Sequence, residues 1–124
     1  MGDLDEDGDL DLYIVNNDGL SALWRNDLAQ GVFTNTAASS GVENMARGNA
    51  GAFGDFDNDG DLDVPLLFGY ISPENLEGLE NPALQPDAIF IQGDDGQFTE
   101  VAEQWSFADN GLNRGFAMAD LNGD

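Results

Sequence analysis

The stretch Asp55-Phe56-Asp57-Asn58-Asp59-Gly60-Asp61-Leu62-Asp63 decides the fold of this 124-residue chain. It places carboxylates at positions 1, 3, 5, 7 and 9 of a nine-residue segment, with glycine at position 6. Nearly the same string runs from Asp3 to Asp11, and a further partial copy begins at Asp120 and reads Asp-Leu-Asn-Gly-Asp. A motif that returns after 52 and then 65 residues predicts a repeat protein built around an acidic loop.

The loop pattern is that of an oxygen-rich cation site. Carboxylates at alternate positions of a tight turn converge on one point, and calcium takes six to eight oxygen ligands. Gly60 permits the sharp bend. Asp61 is expected to offer its backbone carbonyl, while Asn58 and Glu6 face solvent and Phe56 and Leu62 face the core. The predicted ligands are Asp3, Asp5, Asp7, Asp9 and Asp11 in the first loop, Asp55, Asp57, Asp59, Asp61 and Asp63 in the second, and Asp120, Asn122 and Asp124 in the third.

Calcium is the expected occupant of these loops. The alternative is a solvated acidic turn, but repetition of the pattern favours a metal. An EF-hand is excluded because position 12 holds Ile14 or Leu66 instead of glutamate, and magnesium usually retains waters. Without a cation, each carboxylate pair at about 4 Å costs on the order of 4 kcal/mol at an effective dielectric near 20. The loops are therefore expected to be either occupied or unfolded.

The composition excludes several classes of function. Against 25 acidic residues the chain has three arginines and no lysine, a formal charge of −22, which repels nucleic-acid phosphate and anionic lipid. The absence of histidine and cysteine removes the usual zinc sites, histidine-based triads and disulfides. No apolar run is long enough to span a membrane. Nucleic acid and membrane insertion are therefore not expected.

Between the loops lie short apolar runs that read as β-strands. Equivalent landmarks in the two units include Trp24 with Phe90 and Phe33 with Phe98. Turn chemistry is supplied by Asn17-Asp18-Gly19 and Asp94-Asp95-Gly96, and one helical turn is possible at Val101–Trp105. Strands are predicted at 10–16, 21–26, 31–35, 48–54, 62–69, 87–92, 97–101 and 114–119.

Four strands per repeat predict an all-β protein of antiparallel, four-stranded β-propeller blades. With strands labelled A to D, the chain reads B-C-D, A-B-C-D, A. The predicted units are residues 1–47, a blade without its first strand; 48–113, a second blade; and 114–124, the first strand and partial loop of a third. Residues 69–87 are an insertion, predicted to be an ordered surface loop. About two blades make an incomplete propeller.

The motif resembles the FG-GAP repeat, also called the VCBS repeat, of integrin-alpha-type β-propellers. The resemblance rests on the segments Gly51–Asp63, Ala22–Asn26, Gly31–Thr34 and Gly96–Thr99. It implies calcium in the A–B hairpins, an extracellular or cell-surface location, and a role in adhesion, ligand binding or scaffolding. The implied partners are other blades or copies of the chain, and a protein or glycan ligand on the face that carries the insertion.

Two further expectations concern partners and activity. Trp24, Phe33, Phe90, Phe98 and Trp105 are expected to be core between sheets, although a sugar-stacking platform is the alternative. That alternative is a carbohydrate-binding module, or a non-catalytic part of a secreted polysaccharide-active enzyme, with Tyr70 as an exposed contact. Catalysis itself is not expected, because no carboxylate pair stands out beyond the loops. Assembly is expected through strand 114–119 of one copy filling the missing A position of its neighbour's 10–35 blade.

Overall fold

A computed structural model of the chain describes residues 1–16, 19–43, 48–68, 86–109, 113, 115 and 117–119. These residues form two antiparallel β-sheets. The first sheet has the order β1-β2-β3 and the second β4-β5-β6-β7. The predicted all-β architecture is confirmed. The elements are β1 Leu12–Ile14, β2 Ala22–Asp27, β3 Val32–Asn35, α1 Ala37–Ser40, β4 Gly48–Gly51, β5 Val64–Phe68, β6 Ala88–Gln92 and β7 Phe98–Glu100.

Equivalent residues of the two repeats pair in the same way within their own sheets. Leu12 faces Trp24 where β1 pairs with β2, and Val64 faces Phe90 at the same place in the second sheet. Phe33 faces Asn26 as Phe98 faces Gln92. The strand landmarks aligned from the sequence are therefore structurally equivalent. β2 has the predicted length and begins one residue later, and the other strands are shorter than predicted.

Two of the predicted turns lie on either side of β7. Asp94–Gly96 forms the predicted turn between β6 and β7, where Gly96 has φ of 71° and Asp95 Oδ1 accepts a 3.0 Å hydrogen bond from the Gln97 N–H. The predicted helical turn after β7 is also present, since the Trp105 N–H donates to the Val101 carbonyl at 2.9 Å. Its counterpart after β3, helix α1, lies between the predicted strands 31–35 and 48–54, where no secondary structure was predicted.

The core lies between the two sheets. The first repeat contributes Leu4, Leu23, Ala37 and Val42. The second contributes Val64, Leu66, Phe68, Ala88, Phe90 and Phe98, so one face of the second sheet is covered by the first repeat. Because side chains alternate along a strand, Tyr13 and Leu23 face this core while Ile14, Trp24 and Phe33 lie on the opposite, outer face of the first sheet.

Two of the five aromatic residues expected in the core are not there. Phe90 and Phe98 are buried between the sheets, and Trp24 is half-buried. Phe33 is 51% exposed because it lies on the outer face, which nothing in the described part of the chain packs against fully. Trp105, at the end of the turn after β7, is 41% exposed. The core prediction was therefore wrong for Phe33 and Trp105.

Several predictions fall largely outside the described residues. They are the turn residues Asn17 and Asp18, most of the 69–87 insertion with Tyr70, and the third loop with Asp120, Asn122 and Asp124. Strand 114–119 lies there in part, and its described residues, 115 and 117–119, carry no regular secondary structure. None of the described helices is long and apolar enough to cross a membrane.

Candidate metal centre

Each complete loop is closed by a short antiparallel bridge. Gly2 pairs with Asp11 and Gly54 with Asp63. The Asp11 N–H donates to the Gly2 carbonyl at 2.7 Å, and the Asp63 N–H to the Gly54 carbonyl at 2.8 Å. The nine-residue motif is therefore the end loop of a hairpin, and its first and last carboxylates are brought to the same end.

The backbone turns twice within each loop at residues with positive φ. At position 6, Gly8 has φ of 93° and Gly60 of 104°, as expected for a bend that glycine permits. At position 4, Glu6 and Asn58 have φ of 57° and 65°, in the left-handed region. The sequence pattern predicted the exposure of these two side chains but not their backbone conformation.

The position-9 carboxylates are structural anchors. Asp11 is 1% exposed and Asp63 0%. One oxygen of each accepts an N–H from position 2 of its own loop, Leu4 at 2.8 Å or Phe56 at 2.7 Å. The other oxygen accepts the backbone N–H of Asn26 in β2 at 2.8 Å, or of Gln92 in β6 at 2.9 Å.

These bonds give position 9 a structural role that the alternating carboxylates do not predict, because that pattern indicates only metal coordination. The signal was available, since an aspartate just before a buried strand lies where it can reach the next strand of the same sheet.

The position-1 carboxylates hold the turn from inside. Asp55 Oδ1 accepts the Asn58 N–H at 2.7 Å and its Oδ2 accepts the Gly60 N–H at 3.1 Å. In the first loop Asp3 Oδ2 accepts the Gly8 N–H at 3.0 Å. A carboxylate that accepts amides from the turn fixes the bend without using every lone pair.

The side chains of positions 5 and 7 do not belong to the convergent groups formed by positions 1, 3 and 9. Asp7 Oδ1 accepts the Asp9 N–H at 2.9 Å, and Asp59 Oδ1 accepts the Asp61 N–H at 2.9 Å. Asp9 Oδ2 is bonded to the Leu28 N–H at 2.9 Å, beyond β2. The ligand assignments for these four residues stay predictions.

The side chains of positions 1, 3 and 9 converge in both loops. In each group, one oxygen from every carboxylate lies within 4.8 Å of the others. Oxygens bound to one calcium at about 2.3–2.6 Å must lie within roughly 5 Å of each other, so the spacing fits. The two groups are Asp3, Asp5 and Asp11, and Asp55, Asp57 and Asp63.

Buried oxygens without partners indicate that the first group suits a cation. Asp3 Oδ1 and Asp5 Oδ1 are inaccessible to solvent and have no hydrogen-bond partner among the residues that the structure describes. Buried polar atoms are nearly always satisfied, so each such atom requires an explanation. An oxygen-only donor set with negative charge fits calcium, which prefers carboxylate and carbonyl oxygens.

Desolvation opposes the ionisation of one carboxyl in the first group and of two carboxyls in the second. Loss of hydration raises the pKa of the Asp5 carboxyl, an effect that nearby Arg25 opposes and that Asp7 and Asp11 reinforce. Desolvation likewise raises the pKa of Asp57, with Asp59 as the next contribution. The same cause raises the pKa of Asp63.

The two loops differ in one charged neighbour. Arg25 Nε is ion-paired with Asp5 Oδ2 at position 3 of the first loop, and its side chain is half exposed. The equivalent residue of β6 is Ile91, so Asp57 has no such cation from its own sheet. A cleft of about 460 Å³ between the first loop and the β6–β7 turn opens onto this ion pair.

These features define a class of protein, an antiparallel β repeat with an oxygen-rich acidic hairpin loop in each unit. The sequence model of the family described as FG-GAP-like repeat matches residues 3–64, half of the chain. The chain therefore belongs to the FG-GAP-like repeat family, and the resemblance inferred from the loop motif is confirmed. No curated protein and no solved structure matches it significantly.

Proposed function

We propose that this chain is a calcium-binding β-propeller module of an extracellular or cell-surface protein. The observation that carries the calcium assignment is the pair of buried, unpartnered oxygens on Asp3 and Asp5 within a group of three convergent carboxylates. Calcium would supply the partner that these oxygens lack and offset the repulsion within each group. Its role would be structural, since it ties the two strands of a hairpin.

The propeller arrangement is supported by the outer face of the first sheet. In the second sheet Leu66, Phe90 and Phe98 are buried under the first repeat. Their equivalents are Ile14, Trp24 and Phe33, of which Ile14 is 44% and Phe33 51% exposed. An apolar face at positions that are buried in the neighbouring repeat suits a further sheet of the same kind.

The partner of that face would be another blade, from the same polypeptide or from a second copy. In the described part of the chain β1 pairs only with β2, whereas its counterpart β5 lies between β4 and β6. Strand 114–119 of a neighbouring copy remains our proposal for the place beside β1. A folded calcium-loaded monomer in sedimentation would contradict assembly between copies.

An extracellular or cell-surface location is supported by family membership and by the expected use of calcium, since extracellular modules work with dissociation constants of about 10⁻⁴ to 10⁻³ M. We propose a structural, adhesive or protein-binding role without catalysis. A protein or glycan ligand would bind the face that carries the 69–87 insertion, and a glycan array with insertion-deleted protein tests this.

Chelation tests the calcium proposal. The melting temperature is expected to rise from excess EDTA to millimolar calcium. Asp57→Asn should reduce that rise, because it weakens a convergent carboxylate, whereas the matched change Asn58→Gly should preserve it, because Asn58 is exposed and already has positive φ. An unchanged melting temperature on chelation would exclude structural metal sites.

A further inference from the structure

Gln92, the last residue of β6, touches both acidic loops. Its backbone N–H donates to Asp63 Oδ1, in the second loop, at 2.9 Å. Its side-chain Nε2 donates to the backbone carbonyl of Leu4, in the first loop, at 2.8 Å. The residue is 7% exposed, so both bonds are shielded from water.

The position of the Leu4 carbonyl depends on the convergent carboxylates of the first loop. Leu4 lies between Asp3 and Asp5, which both belong to the convergent group. Its N–H is held by Asp11 Oδ2 at 2.8 Å, from the third member of the group. A movement that separates these carboxylates therefore displaces the acceptor of the Gln92 amide.

We propose that Gln92 couples the two loops, so that calcium binding at one raises the calcium affinity of the other. This inference rests on the proposed calcium binding. Calcium in the first loop fixes the Leu4 carbonyl and with it the Gln92 side chain. The fixed Gln92 holds its backbone N–H against Asp63, which orders the second group before its cation arrives, and linkage requires the reverse effect to be equal.

The buried position of the amide gives the coupling its strength. Within the described part of the chain Gln92 Oε1 has no hydrogen-bond partner, so loss of the Nε2 bond would leave the whole side-chain amide unsatisfied there. An unsatisfied buried polar group is costly, which ties the side chain to the ordered first loop. One hydrogen bond of ordinary strength corresponds to a coupling of about two- to tenfold in affinity.

Asn26 provides a matched control within the chain. It occupies the register position of Gln92 in the first sheet and donates its backbone N–H to Asp11 Oδ1 at 2.8 Å. Its side chain lies on the outer face of that sheet and has no bond to a loop among the described residues. Asn26→Met therefore changes the equivalent position without touching the link between loops.

A thermodynamic cycle tests the proposal on the full chain by calorimetric titration with calcium chloride. Asp57→Asn weakens calcium binding at the second loop, so the first loop can be titrated while the second is empty. In a chain that keeps Gln92, the calcium affinity of the first loop is expected to be about two- to tenfold lower in Asp57→Asn than when the second loop is filled. With Gln92→Met, or with Gln92→Asn should the methionine variant not fold, the difference should vanish, and with Asn26→Met it should persist.

The possible outcomes separate this inference from the calcium proposal. Absence of calcium binding in the unmodified chain overturns both. Binding at two independent sites supports the proposed function and overturns the coupling. Coupling that survives Gln92→Met overturns the role of Gln92, while loss of coupling with retained binding at both loops supports it.

Discussion

The backbone N–H of Asn26 donates a 2.8 Å hydrogen bond to Oδ1 of Asp11, joining the last position of the acidic loop to the neighbouring strand β2. Gln92 and Asp63 repeat this relationship in the second sheet at 2.9 Å. The ninth residue of the motif thus stabilises the sheet as well as the loop. Its carboxylate accepts hydrogen bonds from two backbone amides, independently of any cation.

Replacement of Asp63 should therefore destabilise the protein even when calcium is absent. Asp63→Ala leaves the Phe56 and Gln92 N–H groups without their acceptor, at a cost of about 1–3 kcal/mol for each buried group. Asp57→Ala should cost much less in EDTA, because Asp57 is exposed and accepts only a 3.3 Å bond from Asp59. Urea unfolding in EDTA measures both, and equal losses would contradict the anchoring role.

The bend at position 6 should tolerate no side chain. Gly60→Ala is expected to destabilise the protein by about 1–2 kcal/mol, because φ of 104° is unfavourable for any residue with a Cβ. Steric contact is not the reason, since no atom lies within 4 Å of an added Cβ. Gly93→Ala is the control, with ordinary contacts at 3.6 Å and beyond and no positive φ. Similar urea midpoints for the two variants would exclude the conformational explanation.

Phe33 and Phe98 occupy equivalent positions and should respond very differently to truncation. Phe98 is 9% exposed and packs in the common core, so Phe98→Ala should cost about 3–5 kcal/mol. Phe33 is 51% exposed, and Phe33→Ala should cost under about 1 kcal/mol in the monomer. Denaturant unfolding at low protein concentration checks the pair. A large loss for Phe33→Ala would mean that its face is already covered in solution.

Much of this fold could be predicted from local patterns. The strands follow runs of β-branched and aromatic residues, and matching Trp24 with Phe90 and Phe33 with Phe98 identifies equivalent strand positions in the two sheets. The convergence of positions 1, 3 and 9 follows from the spacing of carboxylates around a glycine. These features depend on residues close in sequence or on repetition, which one sequence displays.

The features that local patterns do not predict depend on which faces of the sheets are covered by other elements. They also depend on single contacts between residues distant in sequence. Helix α1 has the composition Ala-Ala-Ser-Ser, without apolar periodicity, and is marked only by Gly41 at its end with φ of 84°. The exposure of Phe33 follows from the packing of whole sheets, which its own strand does not encode. The bond from Gln92 to Leu4 joins residues 88 positions apart, and no local pattern predicts it.

Arg25 should compete with calcium for Asp5. Its guanidinium is ion-paired with this carboxylate and opposes the rise in the Asp5 pKa caused by burial. Arg25→Gln should therefore strengthen calcium binding at the first loop by up to about fivefold, a modest effect because Arg25 is half exposed. Calcium titration in the Asp57→Asn background isolates this loop. Ile91→Gln places the same residue at the equivalent position of β6 and controls for a glutamine in the strand. Weaker calcium binding by Arg25→Gln would contradict the competition.

Acidification should stabilise the metal-free protein and weaken the effect of calcium. Desolvation first, and neighbouring carboxylates second, raise the pKa of Asp57. Desolvation also raises the pKa of Asp63 and, outside the loops, of Asp87, whose oxygens bind the Phe68 N–H and the Asn113 amide. A carboxyl with a raised folded-state pKa holds its proton at a pH where the unfolded chain has released it. The folded state then binds more protons, so stability falls as pH rises from the unfolded-state pKa through the folded-state pKa.

The melting temperature in EDTA should therefore be higher at pH 4, near the ordinary aspartate pKa of 3.8, than at pH 7. Calcium needs ionised carboxylates, so the increase that it produces should shrink over the same interval. Thermal scans with and without calcium, at constant ionic strength, measure both trends. Asp87→Asn removes one contributing carboxyl outside the loops, so it should flatten the slope in EDTA while the calcium-induced increase keeps its pH dependence. A lower melting temperature at pH 4 than at pH 7 in EDTA would show that the folded state stabilises the ionised form of these carboxylates, contrary to the direction of their pKa shifts.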